Sequence, residues 1–199
     1  MGELILDLVN EDYSFKEFED AIGIVKYLGE STDIVIPDHI NDKPVLYIFR
    51  EAFWKKGIKA VSLPKLLEHI DEDVFYNNEI KEIIIPSNVK KILGGAFGRN
   101  KIEKLEIKGQ VTIIHMFAFV GNALTTLDLP KSVFWLSNDC FAENDFEELT
   151  IPEHITELTS DAFAKNKKLR KVSYPKHLES KIKSAFNGCD FENITFQAY

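Results

Sequence analysis

The chain has little with which to do covalent chemistry. It has only 2 cysteines in 199 residues, too few for a disulfide framework, and Cys140 and Cys189 lack the CxxC spacing of zinc or redox sites. The 5 histidines show neither HExxH nor an i,i+4 pair. His154 and His177 fall in one column of the pattern described below, but two imidazoles without a third ligand do not make a metal site. No GxSxG, phosphate-binding glycine loop or GxGxxG occurs, so the expectation is no catalytic residue, no cofactor and no metal.

Positive charge is also short. Lys and Arg number 24 against 32 Asp and Glu, a formal charge of -8. Nucleic acid and anionic membrane surfaces call for a Lys/Arg field that displaces counterions, so neither is an expected partner, and a basic partner suits the chain better. Long apolar runs are missing. Leu4-Ile5-Leu6-Asp7-Leu8-Val9 is interrupted by Asp7 and preceded by Glu3, which makes it neither a signal peptide nor a membrane span. The compartment stays open, the cytoplasm included.

What the chain has in surplus is phenylalanine, 15 residues against 6 Tyr and 2 Trp, and a surplus of one residue type is a reason to look for repetition. Phe53, Phe75, Phe97, Phe119, Phe141, Phe163 and Phe186 recur at intervals of 22 residues, the last of 23. A small residue precedes most of them (Ala52, Ala96, Ala118, Cys140, Ala162, Ala185), with Val74 the exception. Three positions later stand Asn78, Asn100, Asn122, Asn144 and Asn166, followed by an L-x-x-L-x-L-P pattern such as Leu124-x-x-Leu127-x-Leu129-Pro130. A V-x-x-I pair such as Val89 and Ile92 then returns the chain to the next Ala-Phe.

Alternation of period 2 before each Pro predicts one short strand per repeat, and Pro ends it because it has no N–H for the ladder. A single turn cannot bury its own apolar face, so stability must come from stacking like columns. The expected fold is a right-handed solenoid of the β-rich α/β class, with short loops or 3-10 turns on the return limb. Val61 to Leu63, Ile83 to Ile85, Leu105 to Ile107, Leu127 to Leu129, Leu149 to Ile151, Val172 to Tyr174 and Ile194 to Phe196 should form one continuous parallel sheet. The Phe column should be buried, and the Asn column should bond backbone in the turns.

A chain reading N-x-L-x-x-L-x-I-P-x-x-V-x-x-I-x-x-x-A-F resembles the leucine-rich repeats of bacterial BspA-like proteins. The resemblance covers residues 23–199, about seven repeats and a terminal strand. Residues 1–22, with Phe15 and Phe18, read as a lead-in that covers the open end of the core. It implies a non-catalytic, adhesin-like module, secreted or on the cell surface, that binds a protein, with glycan or matrix protein as further partners. A spacer segment in a larger cell-envelope protein is the alternative.

In a solenoid the repeated positions build the scaffold, so information about partners lies where a column departs from its consensus. Between the V and the I most repeats carry polar pairs, Glu68-His69, Lys90-Lys91 and Thr156-Glu157, whereas repeats four and five carry Thr112-Ile113 and Phe134-Trp135. Just before Ala-Phe, where others have Glu72-Asp73, Gly94-Gly95 or Ser160-Asp161, repeat four has Met116-Phe117. Adjacent turns lie side by side, so Ile113, Met116, Phe117, Phe134 and Trp135 form a candidate partner-binding patch. Two other readings stand beside it: rings folded inward to fill a wider core, and a contact for self-association. Repeat four also replaces its Pro with Lys108-Gly109, where a bend or bulge is expected.

Overall fold

The computed structural model describes residues 3–199; the first two residues of the lead-in segment lie outside the described residues. Three strands open the chain, β1 (Leu4–Val9), β2 (Tyr13–Phe18) and β3 (Ile22–Tyr27). They pair antiparallel as a meander, and β3 then pairs in parallel with Lys43–Ile48 in the first repeat. β3 thus straddles the boundary drawn at residue 22. Phe15 is buried against the core, whereas Phe18 packs on Tyr47 and Phe49.

From Lys43–Ile48 onward a parallel ladder runs down the return limb through His69–Ile70, Lys91–Ile92, Ile113–Ile114, Trp135–Leu136 and Glu157–Leu158. This limb, expected to be loops or 3-10 turns, holds the longest continuous sheet of the molecule. The strands expected to form one sheet instead fall into separate ladders. Asp33–Val35 pairs with Ala60–Ser62, Glu82–Ile85 with Lys104–Ile107, and Glu148–Thr150 with Lys171–Tyr174 and then Thr195–Ala198. Leu127 to Leu129 forms no strand, although Leu129 is buried as its place in the alternation requires.

Side-chain alternation fixes which face a residue presents. It does not bring two backbones within hydrogen-bonding distance. At Gly109 a Cβ would come within 3.0 Å of the Pro86 carbonyl and closer still to that of Val89. Only glycine lets this corner seat turn four so closely on turn three, and the ladder lapses on the opposite side of turn four.

Inside the coil the seven Phe side chains of the repeat are fully buried. Their rings stack in one file with centroids 4.9–5.7 Å apart, within the range in which offset aromatic pairs attract. Tyr27 closes the file at one end by stacking on Phe53, and Phe196 closes the other edge-on to Phe186. The last return limb departs from the others. Lys181 takes the slot of the inward Ile, and the limb folds as a short helix, α1 (Glu179–Ala185), that buries Ile182 and Ala185.

The Asn column forms the second internal file, and its role is structural as expected. Asn122 accepts the Ile102 N–H on Oδ1 at 3.0 Å and donates Nδ2 to the carbonyls of Phe97 and Phe119 at 3.0 and 3.1 Å. Asn78, Asn100, Asn144 and Asn166 repeat the two Phe-carbonyl bonds. Each amide ties its own turn to the one before it and satisfies backbone groups that no strand can reach.

Candidate functional site

The Ala-Phe turn is built from backbone that most side chains avoid. Residues two after each Phe, and two before each of the first six, take positive φ, the latter column being Glu51, Asp73, Gly95, Phe117, Asp139 and Asp161 at φ 54–67°. This geometry aims N–H groups along the solenoid axis, so that Asp73, Phe75 and Asn77 bond the carbonyls of Gly94, Ala96 and Gly98 in the next turn. Asp and Gly visit the left-handed region at little cost, whereas a bulky ring there is an outlier. Phe117 holds φ 59° with its N–H bonded to the Asn138 carbonyl, and its side chain is 44% exposed. A strained and solvated phenylalanine adds little to the stability of the coil.

Of the five residues marked by the sequence, Met116, Phe117, Phe134 and Trp135 are exposed and Ile113 is half-buried. Ile113 and Trp135 are direct register partners on the outer face of the return ladder. Phe134 precedes Trp135 at the start of that limb, its N–H bonded to Thr112 and its carbonyl to Thr156 and Glu157. Met116 and Phe117 line a trough of about 820 Å³ that the other three do not line. The patch therefore has two parts, one on the ladder and one on the turn edge.

The trough runs along the turn edge from Glu51 in the first repeat to Lys165 in the sixth. Trp54 and Tyr76 wall it at one end and Met116 and Phe117 rise further along it, while Gly94 and Gly95 of the third repeat separate them. Glycine is required there. A Cβ on Gly95, itself at φ 67°, would collide with the Asp73 carboxylate, and one on Gly98 would come within 2.8 Å of the Tyr76 ring. Sequence reading missed Trp54 and Tyr76. The signal was the column just after each Phe, which runs Trp54, Tyr76, Gly98, Val120, Ala142 and Ala164 and so falls from large to small side chains.

Five carboxylates and two cations, Arg99 and Lys165, line the trough. Both cations are committed to Glu143, with Arg99 Nη1 at 2.6 Å and Lys165 Nζ at 3.3 Å. These bonds hold the Glu143 carboxyl below the usual range. Glu51, Glu72 and Asp73 share Arg50 at 3.3–4.0 Å. Asp139 has no ion pair among the described residues; burial, and then Asp161, push its carboxyl pKa up. Burial likewise raises that of Asp73.

Elsewhere the chemistry is quiet. Cys140 and Cys189 are both buried free thiols, and burial raises both pKa values. His177 Nε2 lies 2.8 Å from the Ile155 carbonyl, while the buried Nε2 of His154 and the buried Oγ of Ser132 in the same column have no hydrogen-bond partner among the described residues. Among the described residues no group of three or more His, Cys, Asp or Glu is placed to hold a metal ion. Among the described residues no helix is long and apolar enough to cross a membrane.

The sequence profile described as BspA type Leucine rich repeat region matches six copies, over residues 30–144 and 94–199. No curated protein sequence matches significantly. Among solved structures the fold is similar to a leucine-rich repeat protein of T. pallidum, at 20% identity and TM-score 0.58 over 97% of this chain and 82% of that one. Two further matches are a leucine-rich cell surface protein of Faecalibacterium prausnitzii (16% identity, TM-score 0.41, 98% and 73% covered) and a leucine-rich repeat protein of Bacteroides ovatus (14%, 0.45, 97% and 79%). The repeat register, the filed Phe and Asn columns and the profile match agree: the chain belongs to the BspA-type leucine-rich repeat family.

Proposed function

We propose that this chain is a non-catalytic protein-binding module whose contact surface includes Ile113, Met116, Phe117, Phe134 and Trp135. Leucine-rich repeats are interaction scaffolds, and a stacked coil offers a broad rigid surface with little ordering cost on binding. The observation that carries the reading is Phe117, an exposed ring on left-handed backbone where the same column elsewhere holds Asp, Glu or Gly. Local strain of this kind costs on the order of 1–3 kcal/mol and is found where binding or switching uses the residue. Exposed aromatic and Met side chains supply the desolvated centre of an interface.

The test compares two double variants, Met116→Ser with Phe117→Gly and Phe134→Ser with Trp135→Ser, in partner capture and in thermal melting. Both should melt within a few degrees of the parent chain and lose capture. Collapse of the fold in either variant, or capture unchanged in both, would refute the assignment.

A further inference from the structure

We propose that the turn-edge trough is a docking groove for an extended, basic segment of a partner protein, with one Lys or Arg side chain placed against Asp73, a second against Asp139, and an apolar side chain between Tyr76 and Phe117. The proposal rests on the protein-binding reading above and names the partner class for its Met116–Phe117 half.

Length comes first. The trough spans five turn-to-turn steps, roughly 24 Å at about 4.8 Å each, which matches about seven residues of extended chain at roughly 3.3 Å apiece. A linear segment suits this shape better than a compact ligand. Depth follows from the glycines of the third repeat, whose missing side chains open the floor between Tyr76 and Phe117.

Charge selects the sign of the occupant. The two cations of the trough are already paired with Glu143, and three of the four other carboxylates share one arginine. The excess of carboxylate in a half-buried wall favours a cation that replaces lost water. The ring faces of Trp54, Tyr76 and Phe117 add attraction for an ammonium or guanidinium. The protein shows the pairing internally, since Lys55 Nζ lies 4.2 Å from the centre of the Trp54 ring.

Fluorescence anisotropy with labelled ten-residue peptides tests the inference on the intact chain. One probe alternates Arg or Lys with Leu or Tyr, a second carries Glu in place of every cation, and a third is all Lys. The first should bind saturably, more weakly in high salt. Asp139→Asn should weaken it several-fold and Phe117→Gly about tenfold or more, whereas Ile84→Ser on the strand face should leave it unchanged. Binding of the acidic or all-Lys probe as tight as the first, indifference to both trough substitutions, or no saturable binding up to millimolar peptide would each overturn the groove. So would a dimer in sedimentation that Phe117→Gly dissociates, because the occupant would then be a second copy. If the groove fails while the two double variants still lose partner capture, the protein-binding reading survives without it.

Discussion

Replacing Asn144 with alanine should be among the most destabilising polar substitutions available in this chain. Asn144 accepts the Leu124 N–H at 3.1 Å and donates to the carbonyls of Phe119 and Phe141 at 3.0 and 3.1 Å. The two carbonyls keep one bond each, from Asn122 and Asn166. The Leu124 N–H keeps none, in a residue that is 1% exposed. Stranding that donor costs about 1–3 kcal/mol, and each lost amide bond adds about 1 kcal/mol. The sum is roughly 3–5 kcal/mol, or a fall in Tm of roughly 6–20 °C for a chain of this size. Calorimetric or circular-dichroism melts of the variant beside the parent would measure it. Cys189→Ala is the control, since the thiol in the equivalent slot of the last turn makes only one weak bond, Sγ to the Phe163 carbonyl at 3.4 Å. An Asn144→Ala protein within about 1 kcal/mol of the parent, or no more affected than Cys189→Ala, would refute the reasoning.

Two further outcomes follow from the turn edge. Phe117→Gly should be more stable than Phe117→Ala by about 1 kcal/mol, because both lose the ring and only glycine accepts the positive φ without penalty; chemical denaturation giving the reverse order would remove the strain argument. The folded-state pKa of Asp139 is raised, by burial and then by Asp161, so its stabilising contribution is present below the ordinary Asp range and is lost as pH rises through the raised value. Asp139→Asn should therefore gain stability over the parent at pH 7 and little at pH 3, and a gain equal at both would contradict the assignment.

The scaffold was legible because it is repetitive. A column seen seven times, as the Phe file is, averages away local exceptions, and period 2 together with the spacing of Asn and Pro located each turn. Its hydrogen bonding was less legible. Val133 and Leu136 announce two inward side chains, but nothing in them says that Trp135 and Leu136 pair in parallel with Ile113 and Ile114. Nor does the alternation at Leu127 and Leu129 reveal that their backbone stands apart from the neighbouring turn. Loss of Pro at Lys108-Gly109 marks the corner where Gly109 closely approaches the Pro86 and Val89 carbonyls, while the strand before it pairs with turn three in unbroken register, with no bulge in that ladder.

The candidate site was legible residue by residue and not as a surface. Met116-Phe117 and Phe134-Trp135 stand out as departures from polar columns, and all four are exposed. Their division between turn edge and ladder depends on the left-handed backbone at Phe117 and on the direction of the return limb, and residue spacing carries neither. The far wall of the trough was readable in the column that follows each Phe, where Trp54 and Tyr76 give way to Gly98.

The central claim is that partners meet this solenoid at Phe117 and not on its strand face. Site-specific incorporation of a photo-crosslinking phenylalanine analogue tests it most directly, at position 117 and, for comparison, at the equally apolar and exposed Ile84. The account predicts a discrete crosslinked partner from position 117, reduced by Asp139→Asn and competed away by excess basic peptide, and none from position 84. Crosslinking from position 84 alone, or from both positions without discrimination, would contradict it.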